Sequence, residues 1–107
     1  MKIGLFPRAK ADIIRQFRYY LVEQDAPRTA VRFREAVIES VKRLEAQPRI
    51  GSVFRGSLPG LRSWPVKGFG MIRIYYVEAP GSLRVVRILH GKRNIRQILK
   101  QERLFEE

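Results

Sequence analysis

Two stretches of β-branched and aromatic residues, Phe69–Glu78 (FGMIRIYYVE) and Leu83–His90 (LRVVRILH), flank Ala79-Pro80-Gly81-Ser82 and predict an antiparallel hairpin with a four-residue loop. With Glu78 facing Leu83, Arg73 is expected opposite Ile88, Tyr75 opposite Val86 and Met71 opposite His90, all on one face. The other face carries Ile72, Ile74, Tyr76, Val85 and Leu89, broken only by Arg87. A face this apolar has to lie on another layer, so the rest of the chain must supply one.

The N-terminal half supplies helices. In Ala9–Gln24 the residues Ile13, Phe17, Tyr20 and Leu21 recur with the 3.6-residue period of an amphipathic helix, Ile14 widening the stripe, and Lys10, Arg15, Arg18 and Glu23 occupy the other face. Asp25-Ala26-Pro27 offers a capping side chain and a proline at a helix start. A second helix over Pro27–Ala46 follows, with Ala30, Phe33, Val37, Val41 and Leu44 as its stripe and Pro48 and Gly51 ending it. The two helices form a hairpin. Met1–Phe6 reads as a short strand with Ile3 and Leu5 on one side, closed by Pro7. Ile50–Gly60 has loop composition, and Pro65 demotes Leu61–Val66 to an edge strand or marks a strand end. Lys92–Phe105 reads as a C-terminal helix with Ile95, Ile98 and Leu99 apolar. The order β-α-α-β-β-β-α predicts a two-layer α+β fold: an N-terminal strand, a helical hairpin, a three-stranded antiparallel meander and a short C-terminal helix. The 107 residues suit a single domain spanning 1–107, without repeats, low-complexity segments or linkers.

Absence of cysteine excludes a disulfide framework and thiolate metal sites. One histidine and scattered carboxylates predict no metal site, and no cofactor is expected. The first residues reach Pro7 and Asp12 before any long apolar run, so neither a signal peptide nor a membrane span is expected and the location reads as cytoplasmic. The net charge of +12 calls for an anionic partner. Its placement is one-sided: Arg55, Arg62, Lys67, Arg73, Arg84, Arg87, Lys92, Arg93, Arg96 and Lys100 face a single acid, Glu78, in that stretch. The competing reading is a merely solvated basic surface.

The chain resembles the RelE/ParE toxin superfamily over nearly its whole length. The resemblance rests on Ala9 and Asp12-Ile13, Ala30 with Phe33, Leu44 with Pro48 and Gly51, Leu61-Arg62, the run Ile72-Arg73-Ile74-Tyr75-Tyr76, and Arg87-Ile88-Leu89-His90-Gly91-Lys92-Arg93-Asn94. A strand ending in His-Gly followed by a basic pair is more similar to the ParE-like branch than to the messenger-cleaving RelE members. That branch implies a type II toxin that traps the complex of DNA gyrase with DNA, without catalysis of its own, and is held inactive by a cognate ParD-like antitoxin in a hetero-oligomer. Arg73, Arg84, Lys92, Arg93 and Arg96 are then the expected target- or anion-binding residues, with possible contact to DNA phosphates. Phe17, Tyr20, Phe33, Arg73 and Arg84 are the expected antitoxin contacts, matching an acidic segment that folds into an apolar groove. The RelE-like alternative, a ribosome-dependent messenger endonuclease, would use Lys67, Arg73 and His90. Ribonucleolytic relatives place an acid-base Tyr or His near the end of the last strand or just after it; here no Tyr follows Tyr76, which leaves His90, followed by Gly91 and Lys92, to serve alone. A third reading, a nucleic-acid-binding module, lacks any helix-turn-helix, zinc or ribonucleoprotein motif. Asp12 reads as a first-turn helix-dipole residue, and Trp64 and Tyr75 as core or edge aromatics with surface recognition as the other option.

Overall fold

The computed structural model describes residues 2–56 and 58–101. Strand β1 (Lys2–Leu5) leads into α1 (Pro7–Arg18), which continues as a π turn over Tyr19–Glu23. Helix α2 (Pro27–Ala46) follows, then β2 (Ser52–Val53), β3 (Arg62–Val66), β4 (Phe69–Ala79), β5 (Ser82–His90) and α3 (Ile95–Leu99). The strands form one sheet in the order β1-β5-β4-β3-β2. β1 runs parallel to β5 and the other pairs are antiparallel. The fold is α+β as expected, with the short β2 added at an edge. The part of the expected C-terminal helix beyond residue 101 lies outside the described residues.

Both long helices begin with proline, whose fixed φ and missing N–H suit the first helical position. Pro7 therefore opens α1 as well as closing the strand. Asp25 does not cap α2. The cap is Ala26 without a side-chain bond, and Asp25 instead takes the corner between the helices at φ 47, a left-handed conformation that Asp tolerates. The buried stripe of α1 is also rotated from expectation. Ala9 and Asp12 are buried, Ile13, Phe17 and Tyr20 half-buried, while Ile14 is 59% and Leu21 40% exposed. In α2 the residues Ala30, Phe33, Val37 and Leu44 are buried as expected, joined by Ala36 and Ser40.

The helical hairpin covers the sheet face carrying Trp64, Ile74 and Tyr76. Trp64 is paired with Ile74 and lines a groove with Glu39, Ser40 and Arg43 of α2. The Tyr76 hydroxyl donates to the Pro48 carbonyl (2.8 Å) and accepts from the Gly51 N–H (3.0 Å), pinning the segment after α2 to the sheet. A Cβ at Gly51 would meet this hydroxyl and come within 2.8 Å of the Ser63 carbonyl, so only glycine fits there.

The β4–β5 loop is only Pro80-Gly81, because Ala79 and Ser82 pair; Gly81 at φ 70 after a proline is the combination a type II turn requires. The expected register holds from there to Tyr76 opposite Val85. A bulge at Val86 then shifts it, and Tyr75 lies opposite Arg87, Ile74 opposite Ile88, Arg73 opposite Leu89 and Ile72 opposite His90. One extra residue moves everything beyond it to the other face.

At the other side of β5, β1 pairs only as far as Val85, and the Asp12 carboxylate takes over the open edge. Oδ2 accepts from the Ile88 N–H (2.9 Å) and from Arg87 Nε (2.8 Å), and Oδ1 accepts from Arg87 Nη2 (2.9 Å) and more distantly from Arg15 (3.3 Å). The Asp12 side chain is 1% exposed and that of Arg87 10%. Asp12 lies beyond the first turn of α1, so its role is this bidentate pair rather than a dipole interaction. Asp12→Asn should leave Arg87 without its counter-charge and cost about 3–5 kcal/mol, read as a lower urea midpoint at unchanged slope. The double change Asp12→Leu with Arg87→Met should recover part of that loss, since no buried charge remains.

Candidate functional site

The sheet face turned away from the helical hairpin holds Arg73, Tyr75 and Val77 of β4, with Ser63 paired to Tyr75 and Arg84 paired to Val77. Arg73 Nε and Nη2 both donate to the Ser63 hydroxyl, at 3.2 and 3.1 Å. That acceptor is neutral, so it orients the guanidinium without cancelling its charge. Tyr75 is buried on this face beneath Phe54, whose ring meets it edge-on with centroids 5.3 Å apart. Arg96 of α3 lies 5.2 Å above the Phe54 ring and donates from Nη1 to the Arg55 carbonyl at 2.7 Å. This contact ties α3 to the segment after β2. Lys92 and Arg93 stand in the exposed turn between β5 and α3.

Of the five expected anion-binding residues, the sheet thus places Arg73 and Arg84 on one face. Arg96 adjoins them through Phe54 and Tyr75, and Lys92 and Arg93 follow on the exposed turn. Among the described residues Arg73, Lys92, Arg93 and Arg96 make no ion pair with a carboxylate. Other basic residues of the same half are neutralised internally: Arg87 by Asp12 and Lys67 by Glu39 (3.0 Å). The expectation that this half lacks internal counter-ions therefore fails for these two and holds, among the described residues, for Arg73, Lys92, Arg93 and Arg96.

Lys67, Arg73 and His90 are not brought together. Lys67 pairs with Glu39 on α2, and Arg73 lies on the open face. His90 sits opposite Ile72, on the helix-covered side, because of the bulge at Val86. His90 Nδ1 also accepts the Lys92 N–H at 3.2 Å, which puts the proton of the neutral ring on Nε2.

At the tip of the helical hairpin, Tyr20 is half-buried in an aromatic cluster, its ring centroid 5.6 Å from those of Tyr19 and Phe33 and 5.7 Å from Phe69. Phe17 is half-buried under the Arg34 guanidinium at 5.9 Å. Phe33 is fully buried and has no surface to offer a partner, so it supports Tyr20 from beneath. Trp64 is half-buried at the rim of its groove.

A family model for the ParE toxin of type II toxin-antitoxin systems, parDE, matches residues 5–95. The chain belongs to the ParE toxin family. A solved structure described as the chromosomal ParDE TA system from P. aeruginosa superposes with a TM-score of 0.70 at 20% identity, covering 84% of this chain and 95% of that one. At that identity the likeness is one of fold. A search of curated proteins finds no match. No helix of the described residues is long and apolar enough to cross a membrane.

Sequence reasoning missed Ser63 and Phe54, the neighbours that hold Arg73 and Arg96 in this ParE-family chain. Neither has a local signal, because each acts across strands. Asp12 and Arg87 did have one: an acid inside an apolar helix stripe and a base inside an apolar strand face are each costly alone and together suggest a pair.

Burial raises the titration of the Tyr75 and Tyr76 phenols above their ordinary 10.0 by disfavouring the phenolate. The Arg73 charge opposes this at Tyr75, and at Tyr76 the Gly51 bond and Arg62 oppose it. A raised value means the folded state favours the neutral phenol. The stabilisation is complete below the unfolded value of 10.0 and is lost as pH rises through the higher folded values. Thermal melts should therefore fall steeply on the alkaline side of 10.0. Tyr76→Phe should flatten that fall while lowering stability at neutral pH by about 1–3 kcal/mol, because the Pro48 carbonyl and Gly51 N–H lose their partner.

Proposed function

We propose that this chain is a gyrase-directed toxin: its open sheet face engages the anionic gyrase–DNA complex, and an acidic ParD-like antitoxin neutralises it. The observation that carries the reading is the cluster of Arg73 and Arg84 on one face beside Arg96, Lys92 and Arg93, in a chain of the ParE family. Arg73 is oriented by a neutral hydroxyl and keeps its charge for an external anion. The action needs positioning and charge only, so no catalytic residue of the toxin is involved. Phosphate contacts from these cations would add affinity that falls with salt.

Ribosome-dependent messenger cleavage is supported less well. The separation of Lys67, Arg73 and His90 weighs against a shared general-base site. The antitoxin reading places apolar anchors against Phe17 and Tyr20, over Phe33, with carboxylates reaching Arg73 and Arg84.

Purified chain added to gyrase should suppress supercoiling and accumulate linear DNA, and Arg73→Ala with Arg84→Ala should weaken this at least about tenfold, the loss of roughly one charge-assisted contact or more. Unchanged supercoiling with no linear product would reject the gyrase reading. In a translating extract the chain should leave messages intact; cleavage abolished by His90→Ala would reverse the ranking. The antitoxin complex should survive gel filtration at ~1 M salt, where exposed charge pairs are screened and apolar anchoring remains.

A further inference from the structure

The groove at the outer edge of β3 is used by neither the anion-binding face nor the antitoxin contacts. β2 pairs with β3 only at Arg62 and Ser63, so from Trp64 onward no strand lies beside that edge among the described residues. Helix α2 lies against it instead, and the space between them, about 330 Å³, is lined by Glu39, Ser40 and Arg43 of the helix with Trp64, Pro65 and Lys67. That volume is at the small end of the range for small-molecule sites, about 300–1,000 Å³.

The groove is preformed, with one flat apolar wall. Trp64 packs against the core, opposite Ile74 in the sheet, and remains only half-buried because its other side lines the groove. Pro65 adds a second rigid surface beside it. An indole displayed in this way is a platform on which a planar ring stacks. The floor is fixed by Ser40, which is 3% exposed and whose Oγ accepts the Lys67 N–H at 3.0 Å, tying the end of β3 to α2. Little ordering would be required of the protein on binding.

The polar groups around the wall narrow the choice of ligand. Lys67 Nζ donates to Glu39 at 3.0 Å, but both side chains are largely exposed, so the pair contributes little and can exchange for groups of a ligand. Arg43 makes no ion pair among the described residues, and its charge at the mouth of the groove is unmatched. The adjoining groove shares Glu39 and Lys67 and adds Arg32, Glu35 and Phe69, so its two acids balance its two bases. An anion is therefore drawn toward Arg43 and away from Phe69. A planar ring carrying an anionic group fits: the ring on Trp64, the anion on Arg43. The guanidinium fork matches phosphate, and a carboxylate at the edge of the ring matches an amino donor such as N4 of cytosine. A purely apolar side chain of a partner would leave Arg43 unanswered.

We propose that this groove is a nucleotide-binding site, in which Trp64 stacks on the base, Arg43 holds the phosphate and Glu39 accepts from an amino group of the base. A free nucleotide and a nucleotide within a single strand offer the same chemistry. The site uses none of Arg73, Arg84, Lys92, Arg93 and Arg96 and does not depend on the gyrase reading, so a negative supercoiling assay leaves it intact.

Trp64 is the only tryptophan of the chain, and its fluorescence reports this groove alone. Cytidine monophosphate added to the full chain should quench it saturably, at least about tenfold more tightly than cytidine, which lacks the phosphate. Arg43→Ala should remove that difference. Glu39→Gln should narrow the preference for cytidine monophosphate over uridine monophosphate, which presents an oxygen where cytosine has its amino group. Lys10→Ala, at an exposed position of α1, should change neither result. All three positions are exposed, and melting curves matching the parent confirm that folding is intact. A tetracytidylate that quenches at least about tenfold more tightly than the mononucleotide assigns the site to a strand; a smaller gain or none assigns it to the free nucleotide. No quenching by any of these ligands, equal quenching by nucleotide and nucleoside, or a base preference unchanged in Glu39→Gln would overturn the proposal. So would calorimetry in which Trp64→Ala binds cytidine monophosphate as tightly as the parent, which would move binding to another part of the basic surface.

Discussion

The structure turns on a carboxylate placed where a strand runs out. β1 leaves β5 at Val85, and from there Asp12 supplies what a neighbouring strand would have supplied, an acceptor for the Ile88 N–H, while holding the Arg87 guanidinium in two further bonds. Taking both charges out of water is expensive, and such pairs often contribute little net stability compared with apolar replacements. What this pair provides is geometry. It fixes where α1 lies along β5, and it sits beside the bulge at Val86, where the ladder to β4 changes phase. A helix that slid by one turn would leave a buried acid, a buried base and an edge amide unmatched together.

The distribution of positive charge follows from that arrangement. Cations at the uncovered edge of β5 or along the helix rim are met by the chain's own acids, as with Arg87 and Lys67. Arg73 on the far sheet face, Lys92 and Arg93 in the turn after β5 and Arg96 on α3 pair with no carboxylate among the described residues. The asymmetry in the sequence thus becomes an asymmetry of faces. Ser63 refines it, since a hydroxyl fixes the direction of Arg73 while leaving the charge to act outward. Arg96 has a mixed role: its ring and carbonyl contacts hold α3 down, so its charge is displayed from a fixed position.

How far the sequence could be read depends on where the bulge falls. Arg84 lies before it and Arg73 on the unbulged strand, so simple alternation from the Pro80-Gly81 turn puts them on one face correctly. His90 lies after it, and the same alternation puts it with Arg73 when it belongs across the sheet. No local pattern marks Val86 as the extra residue, because Val86, Ile88 and Leu89 are all buried. Helix α2 was legible to its ends, since proline, a clean period and the Pro48–Gly51 break agree. The phase of α1 was not, for a physical reason: hydrophobicity counts Ile14 as core and Asp12 as surface, whereas the ion pair buries the acid and leaves the isoleucine to solvent. The same inversion hid the fold-defining contact.

Stability and recognition are coupled in a chain of this charge. Repulsion among cations on one face raises the free energy of the compact state, and a bound polyanion or acidic protein removes it. Part of any partner's affinity is therefore relief of strain already present in the free chain, over and above the contacts it makes. The open face, oriented by Ser63 and Phe54 before any partner arrives, would not need to reorganise to receive this relief, since the sheet beneath is locked by the Tyr76 bonds to Pro48 and Gly51. Rigidity below and unmatched charge above are the two conditions under which electrostatic complementarity sets the rate and choice of association.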